Sequence, residues 1–240
     1  MKSFQAMTFP TIFWQKSNYL IPYPQSTAWM KAYVKQIYAE KAPECLWFLE
    51  HPRLYTAGTS AKEEDLLNSE NIPIYRSNRG GKWTYHGPGQ RILYVMMDLR
   101  KNHPHIPARD IHAFVYALEE WVAKSLEKLG IQTEKRSDRI GLWVIDPKTG
   151  KEEKIAALGI KLSHWISWHG IALNVQPNLE DYQGIIPCGL QSYGVTSLQK
   201  LGVNISMDEI DRILIQEWEN FFGSPLQPMP RNPDFTNMDM

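Results

Sequence analysis

The sequence predicts an α+β fold in which helices pack on a mixed β-sheet. Short apolar segments typical of buried strands come in runs, and three separated segments carry helical periodicity. A regular alternation of strand and helix, typical of a doubly wound parallel sheet, is absent from this pattern. The length of 240 residues and a hydrophobic content of 43% suit one large domain or two small ones.

The first helix is expected at about residues 27–40. Met30, Val34 and Ile37 form one apolar stripe there, and Ser26 or Thr27 can cap its start. Apolar runs then predict strands at 45–51, 72–75 and 92–99. The second of these is short and leads into a glycine-rich loop, so we expect it at a sheet edge.

The most regular helix is predicted at about residues 108–129, where apolar residues recur every three or four positions before Gly130. A β-hairpin is expected next, with strands at 142–145 and 154–162. A further strand, at 165–175, follows directly. The hairpin predicts one antiparallel pair of strands within the mixed sheet.

The last helix begins at a capping box formed by Ser206 and Glu209 and ends at Gly223. After it, prolines are frequent and periodic apolar residues are few. We therefore expect a single domain over residues 1–223 and a loosely ordered tail over 224–240.

Composition excludes several classes of protein. Lys and Arg together number 26, as do Asp and Glu, so the formal net charge is zero and a nucleic-acid binder is not expected. The two cysteines, Cys45 and Cys188, do not indicate a disulfide framework. No apolar run is long enough for a signal peptide or a membrane span, so we expect a cytoplasmic protein without membrane attachment.

Cys188 is the candidate nucleophile. It lies between Pro187 and Gly189, and such a turn exposes a side chain better than a strand does. A free cysteine is more often a small buried hydrophobe, which is our interpretation of Cys45 at the start of an apolar strand. Because a thiol attacks only as thiolate, a nucleophilic Cys188 needs a nearby cation or base.

Lys154 and two histidines are candidates for that partner. Lys154 is either a solvated hairpin residue or a lysine that pairs with the thiol or takes its proton. His86 and His169 are alternatives, since histidine is the usual base for a cysteine. His103 and His105 could together bind a metal, but no CxxC or HExxH motif accompanies them, and we expect no metal site.

The loop at residues 79–90 contains four glycines, which let a backbone turn tightly and a ligand approach closely. A hairpin loop between two strands is the alternative interpretation. Arg79 could contact an anionic group, and Tyr85 and His86 would add polar groups to an apolar wall. The spacing of a phosphate-binding loop is absent.

These segments resemble the LipB family of octanoyl-acyl-carrier-protein:protein octanoyltransferases. The resemblance runs from about residue 46 to residue 201, in family-like order and spacing. Its landmarks are Leu49-Glu50-His51-Pro52, Tyr55 to Gly58, Arg79 to Gln90, Asp98-Leu99-Arg100, Gly141-Leu142-Trp143-Val144, Lys154 to Gly159, His169 to Val175, Pro187-Cys188-Gly189 and Val195-Thr196-Ser197-Leu198.

The resemblance implies the fold of biotin and lipoate protein ligases and an acyltransferase of lipoate biosynthesis. Cys188 would take an octanoyl group from acyl carrier protein as a thioester, and Lys154 falls where the family's lysine lowers the pKa of that thiol. The acceptor would be a lysine on lipoyl domains of 2-oxoacid dehydrogenase E2 subunits and on the glycine cleavage H protein.

No cofactor or ATP is implied. The segments that line the acyl pocket in the family correspond to Arg79, Gly80, Gly81, Lys82, Trp83, Thr84, Tyr85, His86, Ala157, Leu158, Gly159, Gly170, Ile171 and Ala172.

Two other functions remain open at this point. An ATP-using lipoate or biotin ligase of the same fold would activate a free acid and would not need Cys188. A catalytically silent acyl- or lipoyl-binding protein would need neither Cys188 nor Lys154, and the presence of both disfavours it.

Overall fold

The computed structural model describes residues 11–68, 71–136, 139–186, 193–223 and 225–230. Its strands are β1 (Ile12–Leu20), β2 (Glu44–Glu50), β3 (Leu54–Ala57), β4 (Ile74–Arg76), β5 (Trp83–His86), β6 (Gln90–Met96), β7 (Glu134–Arg136), β8 (Arg139–Ile145), β9 (Glu152–Ser163), β10 (Ile166–Asn174), β11 (Gly194–Val195) and β12 (Gln227–Pro228). Its α-helices are α1 (Tyr23–Tyr38), α2 (Ile111–Glu127) and α3 (Met207–Phe222).

The main sheet is mixed, as the sequence predicts. Within the described ranges it has nine strands, in the order β12-β1-β2-β6-β10-β9-β8-β7, and β11 pairs with β9 off this path. The pairs β12–β1, β1–β2 and β11–β9 are parallel, and the other pairs are antiparallel. The predicted hairpin of β8 and β9 is confirmed.

Both faces of this sheet are covered, because side chains of a strand alternate between its faces. From β2, Leu46 and Phe48 join the apolar cluster of α2 and α3, whereas Cys45 and Trp47 join that of α1. Cys45 is fully buried, which confirms its interpretation as a core residue. The layers are therefore α1, the sheet, and the α2–α3 pair.

The start of α3 is confirmed: Ser206 and Glu209 form a complete capping box, and Gly223 ends the helix in the left-handed conformation with φ of 72°. In the described part of the chain, no helix is long and apolar enough to span a membrane.

The predicted start of α1 is wrong by about four residues, because Tyr23 begins the helix and Pro24 lies in its first turn. Proline is pre-organised for this position, since its fixed φ suits a helix and the N–H it lacks has no partner there. Ser26 and Thr27 do not cap the helix; their hydroxyls donate to the Tyr23 carbonyl at 2.9 and 2.7 Å.

A second sheet, in the order β4-β3-β5, was only partly predicted. The edge position of β4 is confirmed, although it begins at Ile74 rather than residue 72. The other two strands were not expected: β3, and β5, which takes up Trp83–His86 inside the glycine-rich loop and pairs antiparallel with β3. The loop is therefore a short turn at 79–82 followed by a strand.

The predicted loose tail is wrong for residues 225–230. Gln227 pairs with Phe13 of β1, and Met229 donates its N–H to the Trp14 carbonyl at 2.8 Å. Leu226 is 6% exposed and packs in the core. The prediction failed because β1, whose edge these residues cover, was not recognised in the sequence. The remainder of the expected tail lies outside the described residues.

Candidate active site

A cavity of about 580 Å³ lies where the second sheet and the 79–82 turn meet β9 and β10 of the main sheet. Ala157 pairs with Ala172 across these strands, and Gly159 pairs with Gly170, so its wall is built from small residues. Larger apolar side chains complete the lining: Ile92, Ile111, Val115, Ile140, Leu158, Ile160, Leu162 and Ile171.

The 79–82 turn closes the cavity by docking on the edge of β9. The register of β8 against β9 extends only to Ala156, so the second half of β9 leaves that edge uncovered by β8. Gly80 donates its N–H to the Ile160 carbonyl there at 3.0 Å. Gly159 permits this approach, because a Cβ on it would lie 2.8 Å from Cδ of Arg79.

Arg79 holds the turn in place from inside. Its side chain is buried, and Nη1 donates to the Gly80 carbonyl at 2.9 Å. Nη2 donates to Thr56 Oγ1, the Thr56 carbonyl and the Lys82 carbonyl at 2.6, 3.0 and 3.1 Å. Two of these acceptors belong to Thr56 of β3, so the contacts tie the turn to that strand. All four acceptors are uncharged.

Lys154 borders the other end of the cavity, near the start of β9. Lys154 is 7% exposed, so the alternative interpretation as a solvated hairpin residue is wrong. Nζ donates to the Ile140 carbonyl at 3.0 Å and lies 4.5 Å from the centre of the Trp143 ring. A buried ammonium thus borders a cavity whose lining is mainly apolar.

Cys188, with Pro187 and Gly189, lies outside the described residues. The described chain resumes at Tyr193, whose ring is 5.3 Å from that of Trp143. Two residues later, Val195 pairs with Lys154 in the β11–β9 ladder. Residues 193–195 therefore lie at the Lys154 end of the cavity.

Three buried histidines gather with two tyrosines at the Arg79 end. The ring of His169 lies 6.4 Å from Tyr23 and 5.8 Å from Tyr94, and His86 and His51 adjoin them. Burial lowers the pKa of His51 to about 4 and that of His169 to about 3. Burial also holds the pKa of His86 well below its usual value. All three imidazoles are neutral at pH 7.

Hydrogen bonds hold two of these neutral rings, those of His51 and His86. A carbonyl only accepts, so His51 Nδ1 donates to Ile21 at 2.5 Å, and Tyr94 then donates to His51 Nε2 at 2.7 Å. His86 Nδ1 lies 2.8 Å from Oε1 of Gln90 and donates to it. This end of the cavity is polar but carries no histidine charge.

The cavity brings together most residues that the sequence indicated. Every expected pocket residue except Tyr85 borders it, as do Lys154 and His169. Tyr85 instead donates to Asp181 Oδ2 at 2.8 Å within a separate aromatic cluster. Which lining residues bind a substrate stays a prediction.

Several lining residues were not singled out from the sequence. Tyr23 lies in a helix start that was misplaced, and Arg139 and Ile140 precede the segment recognised as a strand. Ile111 and Val115 were interpreted only as core positions of α2. Their helical periodicity was visible, but nothing in it indicates that one side of the stripe faces a cavity.

The histidine pair considered for a metal has other partners. His103 Nε2 lies 2.8 Å from Oε2 of Glu44, and His105 Nε2 lies 2.9 Å from the Phe221 carbonyl. Across the described ranges, no three His, Cys, Asp or Glu side chains are arranged as metal ligands.

Comparison with known proteins identifies a family that shares this sequence and fold. The model of the lipoyl protein ligase A/B catalytic domain family matches residues 22–219. An octanoyltransferase of Gluconacetobacter diazotrophicus is 51% identical over 225 residues, which cover 94% of this chain and 97% of the relative. An octanoyltransferase of Bartonella quintana is 48% identical over 221 residues, which cover 89% and 88%.

Solved structures agree on the fold. A bi-partite lipoate protein ligase from Thermoplasma acidophilum superposes with a TM-score of 0.67 at 18% identity, covering 95% of this chain and 89% of its own. A lipoate-protein ligase A bound with ATP gives a TM-score of 0.67 at 18% identity, covering 95% and 92%. The predicted α+β fold of the lipoate ligases is confirmed, and the matched family and relatives show that the chain belongs to the lipoyl protein ligase A/B catalytic-domain family, as one of its octanoyltransferases and hence an acyltransferase.

Proposed function

We propose that this protein moves an octanoyl group from octanoyl-acyl carrier protein, through a thioester on Cys188, to a lysine of a lipoyl domain. The observation that carries the proposal is the apolar cavity of about 580 Å³ with the buried Lys154 at one end. Acceptors are the lipoyl domains of 2-oxoacid dehydrogenase E2 subunits and the glycine cleavage H protein. The site of action is the cytoplasm.

The cavity suits a hydrocarbon chain. Its volume falls in the range of roughly 300–1,000 Å³ that small-ligand pockets occupy. Burial of each methylene on an apolar wall contributes about 0.8 kcal/mol, so an octanoyl chain gains binding energy without any specific polar contact. Ala157 and Ala172, which pair across β9 and β10, border the cavity with single methyl groups and so leave room for such a chain.

The chemistry needs two acyl transfers. The Cys188 thiolate attacks the octanoyl carbonyl carbon, a new C–S bond forms, and the bond to the carrier's sulfur breaks, so the carrier leaves as a thiolate and takes up a proton. The neutral amine of the acceptor lysine then attacks the enzyme thioester. An amide forms, Cys188 leaves as thiolate, and the nitrogen releases its proton. The donor arrives already activated, so neither ATP nor another cofactor is required.

Lys154 is the partner we assign to the thiol. A nearby ammonium favours the thiolate and lowers the pKa of a cysteine. Cys188 is five residues from Tyr193, a separation that a chain bridges over at most about 17 Å, and Tyr193 contacts Trp143 beside Lys154. This proximity supports the assignment.

The histidines are weaker candidates. His169 pairs with Ile160, six residues beyond Lys154 on β9, which corresponds to about 20 Å along the strand. His86 already donates through Nδ1 to Gln90. A thiol beside Lys154 is therefore far from the imidazole of His169, and His86 has one ring nitrogen already engaged.

The test compares two donors in parallel. Octanoyl-carrier protein with EDTA and no nucleotide should octanoylate a lipoyl domain, whereas free octanoate with ATP and magnesium should not. Intact-mass analysis of enzyme mixed with the carrier donor alone should show one octanoyl adduct, which peptide mapping assigns to Cys188. Transfer from free octanoate with ATP alone would instead assign the ligase reaction to this fold.

A further inference from the structure

Glu119 is a buried acid on α2 that the chemistry above does not use. It is 8% exposed, on a helix whose other inward residues include Leu118 and Val122. Burial raises the pKa of its carboxyl group. The next residue, Glu120, contacts Lys135 and Lys124 near the surface instead. Because burying a carboxylate costs free energy, its partners are informative.

The partner of Glu119 is the backbone of β8. Oε1 accepts the Gly141 N–H at 2.8 Å, and Gly141 has φ of 123°, a conformation that favours glycine. The β8–β9 register shifts immediately after it. A Cβ on Gly141 would lie 2.7 Å from the Ala156 carbonyl oxygen and 3.3 Å from Nζ of Lys154. Glu119 thus stabilises an irregular backbone that leaves space for the lysine.

One peptide group connects this acid to Lys154. The Gly141 N–H that Glu119 binds and the Ile140 carbonyl that accepts from Lys154 Nζ at 3.0 Å belong to the same peptide unit. The two groups of a trans peptide point in opposite directions. The carboxylate therefore lies at the positive end of the peptide and the ammonium at its negative end, and hydrogen bonds arranged in such a chain polarise one another.

The other charged groups near this peptide have their own partners. Lys135 of β7 pairs with Glu120, and Arg139 of β8 pairs with Glu152. Glu153 of β9 pairs with Lys200 at 2.7 Å. Glu119, by contrast, is connected to Lys154 through the peptide that both groups bind.

We propose that Glu119 is a positioning residue for Lys154, acting through the Ile140–Gly141 peptide to hold the ammonium at the cavity wall. The inference rests on the proposed function, because it assigns Lys154 a role in activating Cys188. Glu119 does not itself border the cavity, so its effect is on the position of the lysine.

The test measures the rate of Cys188 alkylation by iodoacetamide at pH 7, with thermal unfolding as the check on folding. Glu119→Leu removes the acceptor and should slow alkylation about tenfold, since a cation that no longer stands by a thiol ceases to lower its pKa by about one unit. Glu119→Gln keeps an oxygen for the Gly141 N–H and should restore most of the rate. Glu120→Leu, the matched control on the same helix, should change it less than about twofold.

A double-mutant cycle separates positioning from the charge of Glu119 itself. Cys188 should be alkylated slowly in Lys154→Met, and adding Glu119→Leu to that variant should not lower the alkylation rate further. Loss of a negative charge near a thiol favours the thiolate, so a purely direct charge effect would speed alkylation in both backgrounds. If Glu119→Leu does not fold, Glu119→Gln carries the same cycle, with a slowing of about twofold expected only when Lys154 is present.

The outcomes also separate this inference from the proposed function. Wild-type alkylation in Lys154→Met would contradict the role of Lys154 and with it the proposed activation of the thiol. Two outcomes would overturn only the positioning role. In one, alkylation of Cys188 is slow in Lys154→Met but has the wild-type rate in Glu119→Leu. In the other, Glu119→Leu lowers the alkylation rate equally with and without Lys154.

Discussion

The two buried cations at opposite ends of the cavity differ in what holds them. Arg79 and Lys154 are each 7% exposed. The guanidinium of Arg79 donates to four uncharged oxygens of β3 and its own turn, whereas the ammonium of Lys154 shares a peptide with the buried carboxylate of Glu119.

The difference indicates which cation suits chemistry. Arginine stays protonated and presents a rigid fork, which the carbonyls around Arg79 fill, so it is suited to fixing a loop. Lysine is a compact charge that can exchange its proton. Equal burial therefore does not imply equal function, and the contacts distinguish a structural cation from a candidate catalytic one.

The largest effect is expected at the thiol that we place with Lys154. Cys188→Ala should lower octanoyl transfer by about 10³-fold or more, because the covalent route is lost. Cys45→Ala is the matched control and should transfer normally, since burial raises the pKa of the Cys45 thiol within an apolar core. Transfer rates for both variants with carrier donor decide this. Normal turnover by Cys188→Ala would place the reaction elsewhere.

Next in size is the loss of the candidate catalytic cation. Lys154→Ala should raise the pKa of Cys188 and reduce acyl-enzyme formation by about tenfold to a hundredfold, as expected when an opposite charge is removed from a thiolate. The measurement is the alkylation rate of Cys188 across pH 5 to 10. A profile that overlays the wild type would show that Lys154 does not act on the thiol.

A smaller and different effect is expected from Arg79→Met. Three backbone carbonyls and Thr56 Oγ1 lose a donor, so the free energy of unfolding should fall by about 2 kcal/mol. Alkylation of Cys188 should stay within about twofold of wild type. Urea unfolding and alkylation measured on the same sample provide the check. If alkylation falls as far as it does in Lys154→Ala, the two ends do not differ as described.

The smallest effect concerns the neutral histidines near Arg79. Burial lowers the pKa of His51 to about 4, below its unfolded value near 6.5, so the unfolded state binds more protons between these values and stability falls with acidification. From pH 7 to 5.5 His51 should account for a loss of about 1 kcal/mol, which His51→Gln should remove. His112→Gln, at an exposed position of α2, should leave the pH dependence unchanged.

The elements predicted correctly from the sequence are those that a few neighbouring residues determine. The α3 capping box and the β8–β9 hairpin were predicted because each is encoded within a few residues. The strands β1 and β5 were missed because pairing with distant partners, rather than their own periodicity, makes them strands. The family resemblance indicated most of the cavity wall, including Ala157 and Gly170.

Other parts of the site have no local signal. Glu119 is one of several acids on an amphipathic helix, and only the approach of β8 shows which of them is buried. The backbone conformation of Gly141 also has no signal in the sequence, because its φ depends on the register shift in β8–β9. Contacts between elements decide such roles, and a sequence pattern does not contain them.

The short β12 also limits how the protein can be shortened. Its pairing with β1 covers what would otherwise be an open edge of the main sheet, and Pro228 has no N–H to offer a further strand. A chain that stops at Gly223 would present the backbone of β1 to other molecules. We expect such a truncated protein to self-associate on expression, while a purification tag placed after residue 230 leaves this edge covered.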